Sequence, residues 1–405
     1  MTAVVLHIGL PKTGTTTIQA ALDASAPALA GHGVLLPCGG HRGQRLAAYD
    51  LIGQRVPGHE RSAVAGAWDR LVEEVDAFDG RRVVVSEEEL GRARPGQVRR
   101  LVRTLDGHDL VVVVGVRDLA RTLVSAWQQS VVMGGTTSWS DFVAAVREPG
   151  AGSLRAGTSF ALRHDPLRVL RTWGAHVPPE RIRVVTVPPP GAPAPCLLER
   201  FGDAAELPRE AWRTGVPSHN DSLGAVEVEL LRRVNASLGG RLRPAAHRYV
   251  VEEGIRREWR VPGSRSLVLP AQDWAWVSER SRAIVDGLAA GGYPIHGDLS
   301  DLVPGEPSPD GRRPDDVTDA ELAAAAESAL ISLAVAHARL HRRHRRSLGG
   351  TETPPVTRSQ ALASATRAAA LDAQRRALVL ADRAPGVDRA VSALRRLDSR
   401  RRRGR

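Results

Sequence analysis

The sequence contains few of the residues on which several common classes of protein depend. It has two cysteines, Cys38 and Cys196, among 405 residues, too few for a disulfide framework or a thiolate zinc cluster. No uninterrupted apolar run approaches the roughly 20 residues of a membrane-spanning helix. The first ten residues have neither the basic start nor the cleavage site of a signal peptide. We therefore expect a cytoplasmic protein.

Lysine is almost absent. Of the 56 basic residues one is a lysine, Lys12, and all the others are arginine. A composition that replaces lysine almost everywhere keeps it where a site needs a compact ammonium group on a flexible chain. Lys12 is therefore a candidate functional residue before any motif is considered.

The basic charge is unevenly distributed along the chain. Residues 1–305 hold 36 basic and 33 acidic residues, a net charge of +3, whereas residues 306–405 hold 20 and 12, a net charge of +8. The chain total of +11 therefore belongs mainly to the last hundred residues, and it says little about what the main domain binds.

Short runs of β-branched residues alternate with segments of helical periodicity. The runs are Val4–Leu10, 82–86, 110–116 and 181–187, and the clearest helical segment between them is 119–131. Buried valine runs that alternate with helices are typical of a parallel sheet covered on both faces. The sequence predicts a three-layer α/β fold with ligands at the carboxyl ends of the strands.

Composition also predicts the domain bounds. We expect an α/β domain over 1–304, a proline-rich linker over 305–317 and a basic Ala/Arg-rich tail, helical or partly disordered, over 318–405. Thr318 and Glu321 have the spacing of a capping box at the start of a helix.

The turn after the first predicted strand is a candidate anion site. A loop between a buried strand and a helix directs several backbone N–H groups and a helix N-terminus at one point. The loop residues proposed to bind the anion are Pro11, Lys12, Thr13, Gly14, Thr15, Thr16 and Thr17. Lysine precedes the last glycine by two positions, whereas a nucleoside triphosphatase loop places it directly after that glycine.

A second candidate anion site follows the strand predicted over 110–116. Arg117 comes directly after that strand, and Arg121 and Ser125 are four residues apart on the next predicted helix, so they share a face. An arginine fork with a serine hydroxyl suits a phosphomonoester. In the alternative interpretation Arg117 pairs with Asp118 or with a neighbouring loop, and Ser125 is an ordinary surface residue.

Together the two motifs resemble the sulfotransferases that use 3′-phosphoadenosine 5′-phosphosulfate (PAPS). The stretch from Pro11 to Thr16 is similar to their 5′-phosphosulfate loop, PK[ST]GTT, and Arg117 with Ser125 resembles the pair that binds the 3′-phosphate. Asn220-Asp221-Ser222-Leu223 and Gly297-Asp298-Leu299 resemble stretches of bacterial members. The resemblance covers about residues 1–304 and implies a P-loop-like fold, PAPS as the sulfuryl donor and no metal.

The resemblance also assigns roles to single residues. Sulfuryl transfer needs a cation at the leaving oxygen, for which Lys12 is the candidate, and a base that takes the proton of the acceptor hydroxyl. Glu88 aligns with the glutamate of the SSE-x-L stretch in bacterial members, although Glu87 is an alternative and both are also compatible with a solvated helix start. His41 is the rival base because its ordinary pKa suits the task.

The sequence leaves the acceptor open. A hydroxyl group is expected, with a glycan or glycolipid among the candidates, and Trp127, Trp139 and Trp173 are either stacking platforms or core residues. Two other functions remain in competition: a nucleotide-dependent kinase that uses the same loop, and a catalytically inactive anion-binding or scaffold protein.

The tail allows three interpretations: a solvated extension, a basic segment that binds an anionic surface, or a helix around Leu322, Leu330 and Leu340 that pairs with another helix. The second would make the protein peripheral to a membrane. Nucleic acid is disfavoured as a partner because no aromatic residue follows Tyr293 to stack on bases.

Overall fold

The computed structural model describes residues 2–54, 64–150, 155–215, 223–251, 259, 266–309 and 311–347. The chain divides into two compact units, Met1–Ala336 and His337–Arg405. Within the second unit, the described residues 337–347 are helical.

Six strands of the described residues form one sheet. They are Ala3–His7 (β1), Val34–Leu35 (β2), Arg82–Ser86 (β3), Asp109–Val116 (β4), Ile182–Thr186 (β5) and Ile295–His296 (β6). Their order across the sheet is β2-β3-β1-β4-β5-β6, and each of these neighbours pairs in parallel. The carboxyl end of β1 therefore lies between those of β3 and β4, where the strand order reverses and α/β proteins bind ligands.

Helices cover the sheet. Their bounds are Thr15–Gly31 (α1), His41–Leu51 (α2), Ala67–Asp76 (α3), Pro95–Thr104 (α4), Leu119–Val132 (α5), Trp139–Arg147 (α6), Arg155–His164 (α7), Pro166–Gly174 (α8), Cys196–Ala204 (α9), Ala225–Leu238 (α10), Pro244–Tyr249 (α11), Trp274–Ala290 (α12) and Asp319–Ser347 (α13).

Successive strand side chains enter two different hydrophobic cores, one on each face of the sheet. Val4 and Leu6 of β1 pack with α2, α3, α4 and α8, whereas Val5 packs with α1 and α9. This alternation follows from the two-residue period of a strand. Because both faces are covered, the strands are nearly all apolar, and the predicted three-layer α/β fold is confirmed.

A third core lies among α5, α6, α10 and α12. Trp127 and Trp139 meet there edge to face, with ring centroids 5.6 Å apart, and the indole N–H of Trp139 donates to Asp273 at 3.0 Å. Trp173 is equally buried in the core beneath α8. All three tryptophans are core residues, so they are not available as platforms for an acceptor.

The sequence predicted the four longer strands to within about three residues at each end, and α5 to within about one residue. The predicted strand Val4–Leu10 ends earlier, at His7, because residues 8–10 already belong to the loop. The sequence analysis missed β2 and β6, which have two residues each and carry too short a pattern to detect. Asn220-Asp221-Ser222 and the tail beyond residue 347 lie outside the described residues.

Segment 305–317, expected to be a linker, lies within the first unit and contacts the start of α6. Asp315 accepts hydrogen bonds from the backbone N–H groups of Trp139 and Ser140, at 3.1 and 2.8 Å. The next residues begin α13 with the predicted capping box: the Thr318 hydroxyl accepts from the Glu321 N–H at 3.3 Å, and the Glu321 carboxylate accepts from the Thr318 N–H at 2.9 Å. The bounds 1–304, 305–317 and 318–405 remain predictions.

Helix α13 is long and its later turns are exposed. Leu330 is 66% and Ile331 60% exposed. By length and composition alone, its stretch Asp319–His344 qualifies as a candidate membrane span. This stretch is not an uninterrupted apolar run, because Glu327, Ser332 and His337 interrupt it, and the sequence analysis therefore did not identify it.

Candidate functional site

The two anion motifs of the sequence lie at the carboxyl ends of the two central strands. The loop of residues 8–14 follows β1, and Arg117 follows β4, which pairs with β1 over Ala3–His7. The loop also runs against β4 itself: the Leu10 N–H donates to the Gly115 carbonyl at 2.9 Å. A methyl group on Gly115 would come within 2.7 Å of the Thr13 hydroxyl oxygen, so only glycine allows this approach.

The loop has an unusual backbone and ends in a helix start. Lys12 adopts φ 71°, in the left-handed region that side chains other than those of Asn and Asp rarely occupy. Gly14, at φ 84°, precedes α1 and has no side chain with which to cap it. The first helical hydrogen bonds come from the N–H groups of Thr17 and Ile18, both to the Gly14 carbonyl. The N–H groups of Thr15 and Thr16 precede these bonds and have no acceptor within α1, as at any helix start, so they can bind an anion.

The loop threonines divide into two sets. Thr13 is buried and its hydroxyl donates to the Leu10 carbonyl at 2.6 Å, so it shapes the loop. Thr15 is buried at the start of α1, whereas Thr16 is exposed and Thr17 is half-buried. The exposed and half-buried hydroxyl groups lie in the first turn of the helix, where they can bind an anion together with the backbone.

Arg117 joins the two motifs. Its Nη1 atom donates to the Lys12 carbonyl at 3.1 Å and to the Ser125 hydroxyl at 3.2 Å. Burial, and then the neighbouring Arg121, lower the pKa of Arg117 to about 10, so it stays protonated at neutral pH. Its Nε atom is buried and has no hydrogen-bond partner among the described residues. A buried guanidinium with an unused donor is suited to an incoming anion.

The carboxylate of Asp118 bonds to Arg121 rather than to Arg117. The alternative in which Asp118 is the hydrogen-bonded partner of Arg117 is therefore not observed among the described residues. The Asp118 carboxylate caps α5 by accepting from the Arg121 N–H at 2.8 Å, and it forms an ion pair with the Arg121 guanidinium. Arg121 also donates to the Pro188 carbonyl at 3.1 Å. Arg121 thus holds the start of α5 in place, while Arg117 faces the loop.

The ammonium group of Lys12 reaches the same helix. Its Nζ atom donates to the Gln129 side-chain oxygen at 2.8 Å. Gln129 lies one helical turn after Ser125, so α5 presents both residues on the face that meets the loop. The sequence analysis missed Gln129, although its spacing of four from Ser125 was a usable signal.

The two candidate glutamates after β3 have different surroundings. Glu88 lies against the loop: a methyl group on Gly9 would come within 2.7 Å of the Glu88 Cβ atom. Its Oε2 atom accepts from the Gln19 side chain of α1 at 3.0 Å. Glu87 is fully buried and pairs with Arg45 at 3.2 Å. Burial and the adjacent Glu88 raise the pKa of Glu87 to about 7.

His41 is engaged by another residue. It is the first residue of α2, and its Nδ1 atom pairs with the carboxylate of Asp23 on α1. About a third of its side chain is exposed. The structure therefore brings the loop, Arg117, Ser125 and Glu88 together. His41 of α2 is bonded to Asp23 of α1.

A second histidine touches the loop and was missed by the sequence analysis. His164 ends α7, and its imidazole lies near the backbone of Pro11. Burial, Arg163 and Lys12 lower the pKa of His164 to about 3, so its ring is uncharged at neutral pH. No motif surrounds His164 in the sequence, and a lone histidine near the end of a helix carries no signal of its own.

The comparisons with known proteins return a single distant likeness. No family model matches the chain, and no curated protein matches it. Among solved structures, a sulfotransferase from Alicyclobacillus acidocaldarius is similar at 13% identity and a TM-score of 0.35, covering 61% of this chain and 94% of the other. Identity of this size does not carry a substrate or a cofactor from one chain to another.

Proposed function

We propose that this protein is a sulfotransferase that moves a sulfuryl group from PAPS to a hydroxyl acceptor, with a glycan or glycolipid among the candidate acceptors. One observation supports this most directly: the Arg117 guanidinium bonds both the Lys12 carbonyl and the Ser125 hydroxyl. This contact connects two candidate anion motifs that lie 105 residues apart in the sequence. A donor with a 5′-phosphosulfate and a separate 3′-phosphate needs two such cradles side by side.

The residues present fit such a nucleotide. The backbone N–H groups at the start of α1 and the Lys12 ammonium suit the phosphosulfate. Arg117, with a buried Nε that has no partner among the described residues, and Ser125 suit the 3′-phosphate. When PAPS is bound it supplies the sulfuryl group, and the bond from sulfur to the bridging oxygen breaks as the acceptor oxygen attacks.

Lys12 and Glu88 carry the chemical roles in this proposal. Lys12 neutralises the charge that grows on the leaving oxygen, and its bond to Gln129 holds the ammonium near the loop beforehand. Glu88, packed against Gly9, takes the proton of the acceptor hydroxyl. We rank Glu88 above Glu87, which is committed to Arg45, and above His41, which is committed to Asp23.

The test is a transfer assay with two donors in parallel. PAPS labelled at sulfur and ATP labelled at the γ-phosphate are each incubated with a panel of glycans, glycolipids and phenols. The proposal predicts labelled product from PAPS alone, and none from PAPS with the Lys12→Ala variant. Transfer from ATP would establish the kinase instead. Binding of 3′-phosphoadenosine 5′-phosphate without transfer to any acceptor would favour the inactive anion-binding protein.

A further inference from the structure

Gln19 is a polar residue buried beside the candidate base. It lies on α1, one helical turn after Thr15, and 5% of its surface is exposed. Its Nε2 atom donates to the Ser86 carbonyl at 3.2 Å and to the Glu88 Oε2 atom at 3.0 Å. A side-chain amide nitrogen carries two hydrogens, and these two bonds engage both of them.

The bond to Ser86 fixes the amide. Ser86 ends β3 and lies opposite His7 of β1 in the parallel register. Its N–H donates to the Gln44 side-chain oxygen at 2.8 Å, and its hydroxyl forms a hydrogen bond with His7 Nδ1 at 2.7 Å. All of these groups are buried, so the Ser86 carbonyl has a defined position. Because an amide is planar, the hydrogen that bonds this carbonyl sets the direction of the other hydrogen, toward Glu88.

Glu88 has more freedom than its neighbour Glu87. Glu87 is fully buried and its carboxylate is paired with Arg45, whereas Glu88 is half-buried at the end of three rotatable side-chain bonds. Such a side chain occupies several rotamers unless a partner selects one. A base must lie within hydrogen-bond distance of the proton that it takes, so the rate of the proposed reaction depends on which rotamer Glu88 adopts.

We propose that Gln19 is a positioning residue, which holds the Glu88 carboxylate where it can accept the proton of the acceptor hydroxyl. The amide holds Oε2, Oε1 takes the proton, and the acceptor oxygen keeps the electron pair with which it attacks sulfur. The inference rests on the proposed function for the role of Glu88. The contact between the Gln19 amide and the Glu88 carboxylate does not depend on the reaction.

A purely structural role of Gln19 makes a different prediction. Gln19 also satisfies the buried Ser86 carbonyl, and loss of that bond alone would lower stability. If this were its whole contribution, replacing Gln19 would affect the rate equally with and without the Glu88 carboxylate. If Gln19 acts through Glu88, its effect on the rate disappears once the carboxylate is gone.

The kinetic experiment is therefore a double-mutant cycle. Gln19→Met keeps an unbranched side chain of similar length and removes the N–H donor, and Glu88→Gln removes the base. Both single variants and the double variant are assayed for sulfuryl transfer from PAPS, and affinity for 3′-phosphoadenosine 5′-phosphate is measured by calorimetry. Ala24→Ser, at an exposed position of the same helix, is the matched control.

We expect Gln19→Met to lower kcat by about tenfold, as for the loss of one hydrogen bond to a charged group, while affinity for the nucleotide changes by less than about twofold. In the Glu88→Gln background the same substitution should change kcat by less than about twofold. Ala24→Ser should match wild type. An unchanged kcat in Gln19→Met, or an equal loss of kcat in both backgrounds, overturns the inference.

A second measurement examines the contact without relying on the reaction. Urea unfolding of wild type, Gln19→Met, Glu88→Ala and the double variant gives the unfolding equilibrium constant of each chain. Side chains in contact are non-additive, so the combined effect should differ from the product of the single effects by about threefold or more. A double variant that equals that product overturns the inference. Absence of sulfuryl transfer by the wild type overturns the proposed function, and the urea cycle still shows whether Gln19 holds Glu88.

Discussion

Lys12 combines a left-handed backbone with a side chain that reaches across to α5. In a chain whose other basic residues are all arginine, the planar and bulkier guanidinium was not used at this position. A compact ammonium can move between the Gln129 oxygen and a leaving oxygen, whereas a guanidinium fork fits one geometry at a time.

The first prediction concerns this exchange of cations. Lys12→Arg should lower kcat by about 100-fold or more while nucleotide affinity changes by less than about tenfold, because charge is kept but its placement in the transition state is lost. Steady-state kinetics and calorimetry measure the two quantities. The reverse exchange at an exposed position, Arg42→Lys, is the control and should leave both unchanged. Near-normal turnover of Lys12→Arg would remove Lys12 from the chemistry.

Glu88 gives the second prediction. Glu88→Gln keeps the shape and the contact with Gly9 but cannot accept a proton, so kcat should fall by about 100-fold with little change in nucleotide affinity. If Glu88→Gln keeps the rate of the wild type, another group is the base, and His41→Ala is the next variant to measure.

Glu87 gives a prediction about stability rather than rate. Its pKa is raised to about 7 in the folded protein, so between about pH 4.5 and 7 the folded state keeps a proton that the unfolded state has lost. Protonated Glu87 therefore stabilises the folded state fully below about pH 4.5. This stabilisation falls as the pH rises towards about 7, by up to about 1.4 kcal/mol per pH unit, and is lost above it. Urea unfolding of Glu87→Gln should show a smaller loss of stability over this window than wild type. Parallel curves for the two proteins would contradict the assignment.

Among the secondary-structure elements, α5 links the anion site to the third core. Its inner face carries Ser125 and Gln129 toward the loop, and its carboxyl end is held by Asn235 of α10. The Asn235 amide donates to the carbonyls of Val131 and Gly135, at 2.8 and 3.0 Å, and its oxygen pairs with His247 at 2.8 Å. Asn235 therefore connects three segments of the polypeptide in one buried network.

The fourth prediction tests this network. Asn235→Ala removes the side-chain partner of the half-buried Gly135 carbonyl and of the buried His247, and one of the two donors to the Val131 carbonyl. It should lower the free energy of unfolding by about 2–4 kcal/mol. Ser237→Ala, at an exposed position of the same helix, should change it by less than about 0.5 kcal/mol. Urea titrations of both variants provide the comparison. Equal stability of the two variants would show that the network contributes little.

What the sequence predicts well is what short-range chemistry determines. Apolar runs that alternate with helical segments located the four longer strands, and the loop motif located the candidate anion site. Both signals depend only on residues that are close in the sequence. Gln129 escaped because its hydrogen bond to Lys12 joins residues 117 positions apart, which no local pattern reveals. Glu87 and Glu88 are neighbours in the sequence, and only the fold shows that one is buried against Arg45 and the other lies beside Gly9.

At the scale of the whole molecule, the first compact unit extends to Ala336. Composition placed the domain end at Pro304, because prolines and glycines cluster directly after it. Yet Asp315 bonds to the backbone at the start of α6, and Leu322 and Ala325 of α13 are buried. Proline-rich composition indicates an irregular backbone, and an irregular segment can still pack against a domain.

The fifth prediction compares two truncations. A chain that ends at Ala336 should melt within about 3 °C of the full chain, because it keeps these contacts. A chain that ends at Pro304 loses Asp315 and the buried side chains of α13, and it should melt at least about 5 °C lower. Differential scanning calorimetry of the three chains decides. Equal melting temperatures for the two truncations would support the predicted domain end at 304.

The central claim is that the loop after β1 and the Arg117–Ser125 pair form one site for a nucleotide with phosphates at both ends. A calorimetric titration tests this most directly, with 3′-phosphoadenosine 5′-phosphate, AMP and ATP on wild type and on Arg117→Ala. We predict that wild type prefers the 3′-phosphorylated nucleotide over AMP by at least about tenfold and that Arg117→Ala loses this preference. Equal affinity for AMP and the 3′-phosphorylated nucleotide, or a preference for ATP, would contradict the claim.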